Sequence, residues 1–483
     1  MTRRLRRFPI DEWVDPADAF VALFGDAAHA VWLDAGPGAT TDRSFLAASD
    51  RLATATIGGG VVVRGPEGER RFDGTMLDFL HDDLSKQERV TAVPGDPSFA
   101  LGWLGWLGYE TGAAACGIPI AATDGPDAAM LFADRAVAVD HALSTIELLV
   151  LDDDGDGDGD AGRDADVIAW VAAVRGTLAT ASGAAARYAA EHDVGAPPHP
   201  ATWRHSDDEY LALIRSCQES IRSGDAYQLC LTNEATAEVD RDALAVHLRL
   251  RAASPAHHGG FLRLGGAALV SSSPEQFLAV TAEGRVRTKP IKGTRPRGTT
   301  IARDLELRAE LEASEKERAE NVMIVDLMRN DLGRVCEVGS VEVRHLLAVE
   351  SYPQVHQLVS TVEGRLLSGL GATDAVAACF PAGSMTGAPK LSAMRILNAL
   401  EGGPRGVYSG CFGYFGLDGA ADLAMVIRSI AIRPGRVNIG AGGGITALSV
   451  PDEELEEVAI KARALLAAAG LRADGNGPDR PNV

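Results

Sequence analysis

From Leu101 to Tyr109 the chain reads Leu-Gly-Trp-Leu-Gly-Trp-Leu-Gly-Tyr, an apolar run punctuated by glycine. It predicts a core strand whose glycines admit a close neighbouring backbone. Short apolar runs and turns fill the rest of residues 10–150. Past residue 205 the pattern becomes more regular. Ser206-Asp-Asp-Glu209 is a capping box, and the periodicity after it predicts a helix to about Arg222, stopped at Gly224. Residues 225–233 predict a strand, and residues 270–288 predict two short strands about a tight Glu283–Gly284 turn. Residues 315–333 predict a helix with Glu320 and Asn321 ahead of its apolar run. A strand carrying Val355-His356-Gln357 follows, and Phe380–Lys390 leads into a helix that ends at Gly402. Residues 423–432 and 436–444 predict strands joined by a Pro434–Gly435 turn. A last helix is predicted from Ser449-Val-Pro-Asp452 to Gly470.

Register turns these elements into chemistry. A two-residue turn at Glu283–Gly284 sets Ala282 opposite Arg285 and carries Glu275 opposite Lys292, unless Pro274 and Pro290 end the ladder early. Opposed residues lie roughly 5 Å apart at Cβ, on one face. A lysine beside a glutamate is usually a surface ion pair worth under about 1 kcal/mol. Here Ile291 and the prolines stiffen the segment, while Arg295 and Arg297 crowd the amine with like charge. Burial and neighbouring cations both predict a lowered pKa and a neutral, nucleophilic Lys292. In the second hairpin the same reasoning sets Arg428 opposite Ala441, beside Gly442, Gly443 and Gly444. That pairing suits a carboxylate pocket, and it equally suits an arginine bonding neighbouring carbonyls.

On the last helix Glu454, Glu457 and Lys461 share one face. Acids in a first turn ordinarily complement the helix dipole. With Glu320 they also compose a hard oxygen donor set suited to Mg²⁺. Neither Gly-Ser-Met-Thr-Gly-Ala-Pro-Lys390 nor Gly440–Gly444 has phosphate-loop or dinucleotide spacing. The acidic run 152–160 departs from a calcium loop at its twelfth position, Arg163, and reads as a solvated linker.

Composition narrows the partners. The 483 residues carry 46 basic and 67 acidic side chains, a net charge of −21, which argues against nucleic acid and anionic membranes. An anionic substrate is then admissible only where cations or a metal locally reverse the field. Mean hydropathy is near zero, no 18-residue apolar span occurs, and the basic opening lacks a following apolar run, so a cytoplasmic protein is expected. Six cysteines without CxxC spacing predict reduced thiols.

The ordered blocks PIKGTRPRG, ERAENVMIVDLMRNDLGRV, VHQLVS, FPAGSMTGAPK, GAGGGI and SVPDEELEE resemble the chorismate-utilising enzymes, strongly over 205–468 and loosely before that. Anthranilate synthase component I and isochorismate synthase belong to that family, and the chain looks most like its aminodeoxychorismate-forming branch. Anthranilate synthases typically carry alanine where this chain has Lys292. Isochorismate and salicylate synthases place a water-activating lysine where it has Gln228. The tryptophan-feedback Leu-Leu-Glu-Ser motif is absent, residues 33–36 reading Leu-Asp-Ala-Gly.

The resemblance implies an α/β fold, a large two-sheet antiparallel sandwich with outer helices and the active cleft between the sheets. The proline-rich break Gly195-Ala-Pro-Pro-His-Pro200 is read as dividing an N-terminal subdomain over 1–195 from the catalytic region over 196–470, and residues 471–483 as a flexible tail. By resemblance Lys292 attacks chorismate while Glu275, protonated, helps the C4 hydroxyl leave. Thr294 and His356 line the ring, and Tyr408, Arg428 and Gly442–Gly444 take the side-chain carboxylate. Glu320 and Glu457 bind Mg²⁺, with Glu454 acting through water and Lys461 nearby. Ammonia is expected from a separate glutaminase subunit, since no histidine follows residue 356 to serve Cys411. The implied product is 4-amino-4-deoxychorismate, on the route to 4-aminobenzoate and folate. Anthranilate formation and a non-catalytic chorismate-binding paralogue are the alternatives.

Overall fold

The computed structural model describes residues 3–87, 89–90, 99–153, 160–192, 197–352 and 355–474. Most of the acidic run, the start of the break at 195 and the chain past 474 therefore lie outside the described residues.

Two large sheets stack face to face. The first runs from Arg3–Ile10 at one edge, through Ala30–Asp34, His258–Leu264, Ala267–Ser273, Ser429–Arg433 and Arg436–Ile445, to Gln228–Ala237, His199–Trp203 and Leu471–Asp474. The second runs from Ile291–Pro296 and Val355–Arg365 through Arg285–Thr288, Gln276–Val280, Ala421–Met425, Cys411–Gly416 and Gly102–Leu107 to Gly68–Phe72. Among the described residues the strand pairs are antiparallel, except that His199–Trp203 runs parallel to Leu471–Asp474. Val31, Phe45, Leu262 and Leu269 from the first sheet meet Leu104, Trp106, Leu131 and Phe412 from the second in a shared core. Helices Asp207–Arg222, Ala243–Ala253 and Pro451–Ala468 cover the first sheet's outer face, and Met76–Lys86, Glu315–Gly333 and Ala372–Cys379 cover the second's. The sandwich with outer helices is as expected.

In each sheet a block of strands from before residue 195 joins a block from after it, Ala30–Asp34 pairing with His258–Leu264 and Gly102–Leu107 with Cys411–Gly416, so both sheets run continuously across that boundary. Residues 471–474, read as tail, form an edge strand. The glycine-rich run is the central strand Gly102–Leu107, where a Cβ at Gly105 would lie 1.9 Å from the Ala129 carbonyl oxygen. The capping box at Ser206 forms, with Ser206 Oγ and the Glu209 carboxylate each bonding the other's backbone N–H.

Two crossings between the sheets matter most. The chain leaves the first sheet after Ser273 and enters the second at Gln276, because Pro274 lacks the N–H a ladder needs. It returns between Met425 and Ser429, so the predicted strand 423–432 is in fact two strands in different sheets. The crossings lie side by side: Met425 N donates to Glu275 O (3.0 Å) and Ser272 N donates to Arg428 O (3.1 Å). Arg428 adopts φ +50°, a left-handed conformation costing a non-glycine residue of order 1 kcal/mol. The Pro434–Gly435 register is as predicted over Ile430↔Ile439 to Arg433↔Arg436, and it stops before Arg428 can oppose Ala441.

The first hairpin differs by one position. Ala279 pairs with Arg287 and Val280 with Val286, since Thr281 closes a wider turn onto Arg285. Glu275 is therefore not opposite Lys292 in a ladder. Beyond Pro290 the chain continues along the same edge of Val355–Arg365, its other edge being held by Glu342–Ser351.

Beneath the site lies a buried ion pair. Arg405 Nη2 and Nε donate to the Glu401 carboxylate (2.7 and 2.8 Å). The same guanidinium donates to Met385 O (2.6 Å) and Cys230 O (2.9 Å), and Arg405 N donates to Glu110 Oε1 (2.7 Å). Glu401 also accepts from Thr232 N and Oγ1 (2.9 Å each). Breaking such a pair strands a buried charge. Arg405→Met should lower the unfolding free energy by about 3–5 kcal/mol in urea titration; a loss below about 1 kcal/mol would show the pair to be dispensable.

Candidate active site

Where the sheets part at the two crossings there is a cavity of about 420 Å³. Glu275 and Arg428 enter it from the crossings. Lys292 and Thr294 come from the strand Ile291–Pro296, Glu320 from the helix Glu315–Gly333, and Gly440–Gly444 from the strand Arg436–Ile445. Glu454, Glu457 and Lys461 come from the helix Pro451–Ala468, and Tyr408 from the loop anchored by Arg405. Residues spread over nearly 190 positions of sequence thus face one volume.

His356 does not line it. The ladder sets His356 opposite Arg295 and Gln357 opposite Thr294, so successive strand residues take opposite faces. His356 bonds Asp304 Oδ1 through Nε2 (3.0 Å) and Ser351 Oγ through Nδ1 (2.8 Å), on the helix side of the sheet. Gln357 takes the cavity face instead, buried, with its Oε1 accepting no hydrogen bond among the described residues. Period-two alternation around Thr294 was the signal that could have identified it.

Of the five cations lining the cavity, two lack carboxylate partners among the described residues. Lys292 and Arg428 make no direct ion pair among the described residues, whereas Arg295 is held by Glu317 (2.8 Å) and Arg297 by Asp304 (2.8 Å). Those arginines therefore do not crowd Lys292 as expected. Its pKa is raised, not lowered: burial pushes it down, but Glu320, Cys230, Glu275 and Glu457 together outweigh burial. Burial pushes the Glu275 carboxyl up to about 7, against the opposing pull of Lys292 and a hydrogen bond from Ser384. Ser384, in the short helix Gly383–Thr386, is a second site residue that the sequence reading passed over, although its block was recognised. Arg428 has its pKa lowered by burial, against the opposing pull of Tyr408 and Glu457.

Three glutamates gather at one end. Lys316 Nζ bonds Glu454 (3.0 Å), Lys461 Nζ bonds Glu457 (2.6 Å), and Ser449 Oγ donates to Glu454 (2.7 Å). Lys461 also donates to Gly442 O (2.7 Å). As these side chains lie, no group of three or more His, Cys, Asp or Glu among the described residues is close enough to hold an ion. The donor set nevertheless suits a hard cation. Glu320 has no ion pair among the described residues, and its carboxyl is pushed up first by burial and then by Glu454 and Glu457 in spite of the lysines. Lysine ammonium groups stand where positive charge is needed.

The glycine run is a packing requirement as well as a cavity wall. A Cβ at Gly442 would lie 2.4 Å from Leu231 O, and one at Gly444 would lie 2.3 Å from Gln228 Nε2. Gln228 is fully buried beneath that strand and offers no amine to activate water. Cys411, the residue resembling a glutaminase nucleophile, is a buried strand residue whose thiol pKa is pushed up by burial. The six cysteines are free thiols, as expected. No helix among the described residues is long and apolar enough to cross a membrane.

With this geometry in view, similarity to other proteins becomes informative. An aminodeoxychorismate synthase from Streptomyces griseus is 45% identical over 460 residues, 94% of this chain. The chain spans 62% of that relative's length. Anthranilate synthase component 1 from Streptomyces coelicolor is 37% identical, covering 95% of this chain and 87% of the relative. The crystal structure of anthranilate synthase component I from Streptococcus pneumoniae superposes with a TM-score of 0.72 at 27% identity, covering 95% of this chain and 99% of that one. The family model described as chorismate binding enzyme matches residues 39–467, and the chain belongs to that family.

Proposed function

We propose that this chain aminates chorismate at C4, releasing water and forming 4-amino-4-deoxychorismate, with ammonia supplied by a glutaminase subunit. The observation that carries the reading is the cavity pair: an amine without an ion-pair partner, Lys292, facing a carboxyl, Glu275, that titrates near neutrality. The high identity to a protein named aminodeoxychorismate synthase supports it. In this reading Arg428, Tyr408 and the Gly442–Gly444 backbone hold the side-chain carboxylate, and Thr294 and Gln357 border the ring. Lys292 forms a bond to C2 as both ring double bonds shift, to C1=C6 and C4=C5, and the C4 oxygen departs as water with the proton of Glu275. Ammonia then bonds to C4 as the C2–lysine bond breaks. Splitting the substitution this way replaces one hard step with two easier ones.

Glu320 and Glu457, with Glu454 through water, would hold Mg²⁺, which supplies charge to bind the ring carboxylate and to offset the acids that keep Lys292 protonated. The nucleophile itself is readied by one proton transfer. Lys292 charged with Glu275 ionised, and Lys292 neutral with Glu275 protonated, are two placements of the same single proton.

Lys292→Ala should reduce C4 amination by about 10²-fold or more with chorismate, Mg²⁺ and ammonium, while calorimetric Mg²⁺ affinity stays as before. An unchanged rate would remove the covalent role, and fluorescent anthranilate appearing without a lyase would assign the chain to anthranilate synthesis. The one-proton state is populated above the Glu275 pKa and below the raised Lys292 pKa. Hence kcat/KM should climb as pH rises through about 7 and stay level beyond it. In Glu275→Gln that limb should vanish; a rate that instead falls through pH 7 contradicts the shared proton.

A further inference from the structure

Lys292 reaches the cavity from an irregular strand. Ile291 lies opposite Val359 and Thr294 opposite Gln357, so three steps along one strand match two along its neighbour. Lys292 and Gly293 together stand against Leu358, which is a β-bulge, and Gly293 takes a left-handed φ of +83°. A regular strand alternates faces, yet Ile291, Lys292 and Thr294 all border the cavity. The bulge is what adds the lysine to that face.

This strand lies at the edge of its sheet, with Val355–Arg365 on one side only. The helix Glu315–Gly333 supplies the rest of its support. Asn321, the residue after Glu320, is fully buried and does not line the cavity. Its Nδ2 donates to Pro290 O, just before the bulge, and to Leu358 O, opposite it (3.3 Å each). Its Oδ1 accepts from Ser360 Oγ. The reversed amide would set its oxygen against two carbonyls, so the orientation is fixed. Beyond the bulge, Glu317 of the same helix holds Arg295 (2.8 and 3.4 Å), and a Cβ at Gly293 would lie 2.7 Å from the Glu317 carboxyl carbon. Glu317 and Asn321 thus grip the strand on either side of Lys292. Between them on the helix stands Glu320, the acid that pulls most strongly on the Lys292 ammonium.

We propose that Asn321 is a positioning residue for the amination: with the Arg295–Glu317 pair as second anchor, it fixes the bulge and so the reach of Lys292 over the ring. The inference rests on the reading of Lys292 as nucleophile. In that reading Arg428, Tyr408 and the Gly442–Gly444 backbone hold the substrate, and none of them depends on the bulge. Loosening the bulge therefore slows the reaction without weakening binding, and a displacement of about 1 Å is enough for a loss of about 10²-fold.

Steady-state amination by the full chain, with chorismate, Mg²⁺ and ammonium, tests this. Asn321→Ala should lower kcat about tenfold or more, with KM for chorismate within about twofold of the parent. Added to Lys292→Ala, it should slow the residual rate by no more than about twofold, because the side chain it positions is gone. A loss of folded enzyme, of metal or of substrate contact would instead add to the Lys292→Ala loss. Should Asn321→Ala fail to fold, Arg295→Gln, at a partly exposed position, cuts the second anchor and is read in the same two backgrounds. The proposal is overturned by a kcat within about twofold of the parent, by a loss confined to KM, or by a further loss of about tenfold on top of Lys292→Ala. An undiminished rate in Lys292→Ala itself overturns the covalent reading and this inference with it. A loss there beside an unimpaired Asn321→Ala overturns this inference alone.

Discussion

A buried guanidinium and a buried carboxylate, Arg405 and Glu401, hold together the parts on which the catalytic cavity is built. Each alone would be costly to remove from water; together, with Thr232, Met385, Cys230 and Glu110 satisfying their remaining valences, they are tolerated. The residues they join belong to the first sheet, to the short helix bearing Ser384, and to the helix after the second sheet's central strand. The loop that follows carries Tyr408, so this wall of the cavity is positioned by the ion pair. Apolar contact alone is non-directional and would not set that loop to hydrogen-bond precision.

Charge is distributed with equal economy. A chain of net charge −21 presents Lys292 and Arg428 to its cavity without direct ion-pair partners, while nearby Arg295, Arg297, Lys316 and Lys461 are each neutralised by a carboxylate. Both of these cations, unpaired among the described residues, face the space a substrate would occupy. Lys292 stays protonated because four neighbouring acidic groups outweigh its burial. Its activation is thereby tied to whatever compensates those acids.

Geometry at the crossings explains how two distant hairpins share one site. Pro274 breaks the first ladder and a left-handed Arg428 breaks the second, and backbone hydrogen bonds hold the breaks together. A continuous strand would have pointed these side chains along a sheet face; the crossings turn them into the gap between sheets.

Much was readable from local chemistry. The capping box at Ser206, the turn at Pro434–Gly435, the helix over 315–333 and the grouping of Glu454, Glu457 and Lys461 depend on neighbours in sequence, and each is found in the structure. Ordered blocks likewise identified the family and, through it, the sandwich. What failed depended on register and on long-range field. A one-position change in the first hairpin means that Glu275 and Lys292 are not ladder partners, although both reach one cavity, and a one-position step along Val355–Arg365 exchanges His356 for Gln357, because strand side chains alternate faces. The protonation of Lys292 turns on acids 17 residues before it in the chain and up to 165 after it, Glu275 and Glu457 among them. Sequence therefore determined which chemical groups were available and which local elements would carry them. Only the tertiary structure decided which groups face one another, since pairing register and electrostatic neighbourhood are properties of the packed sheets and not of any segment alone.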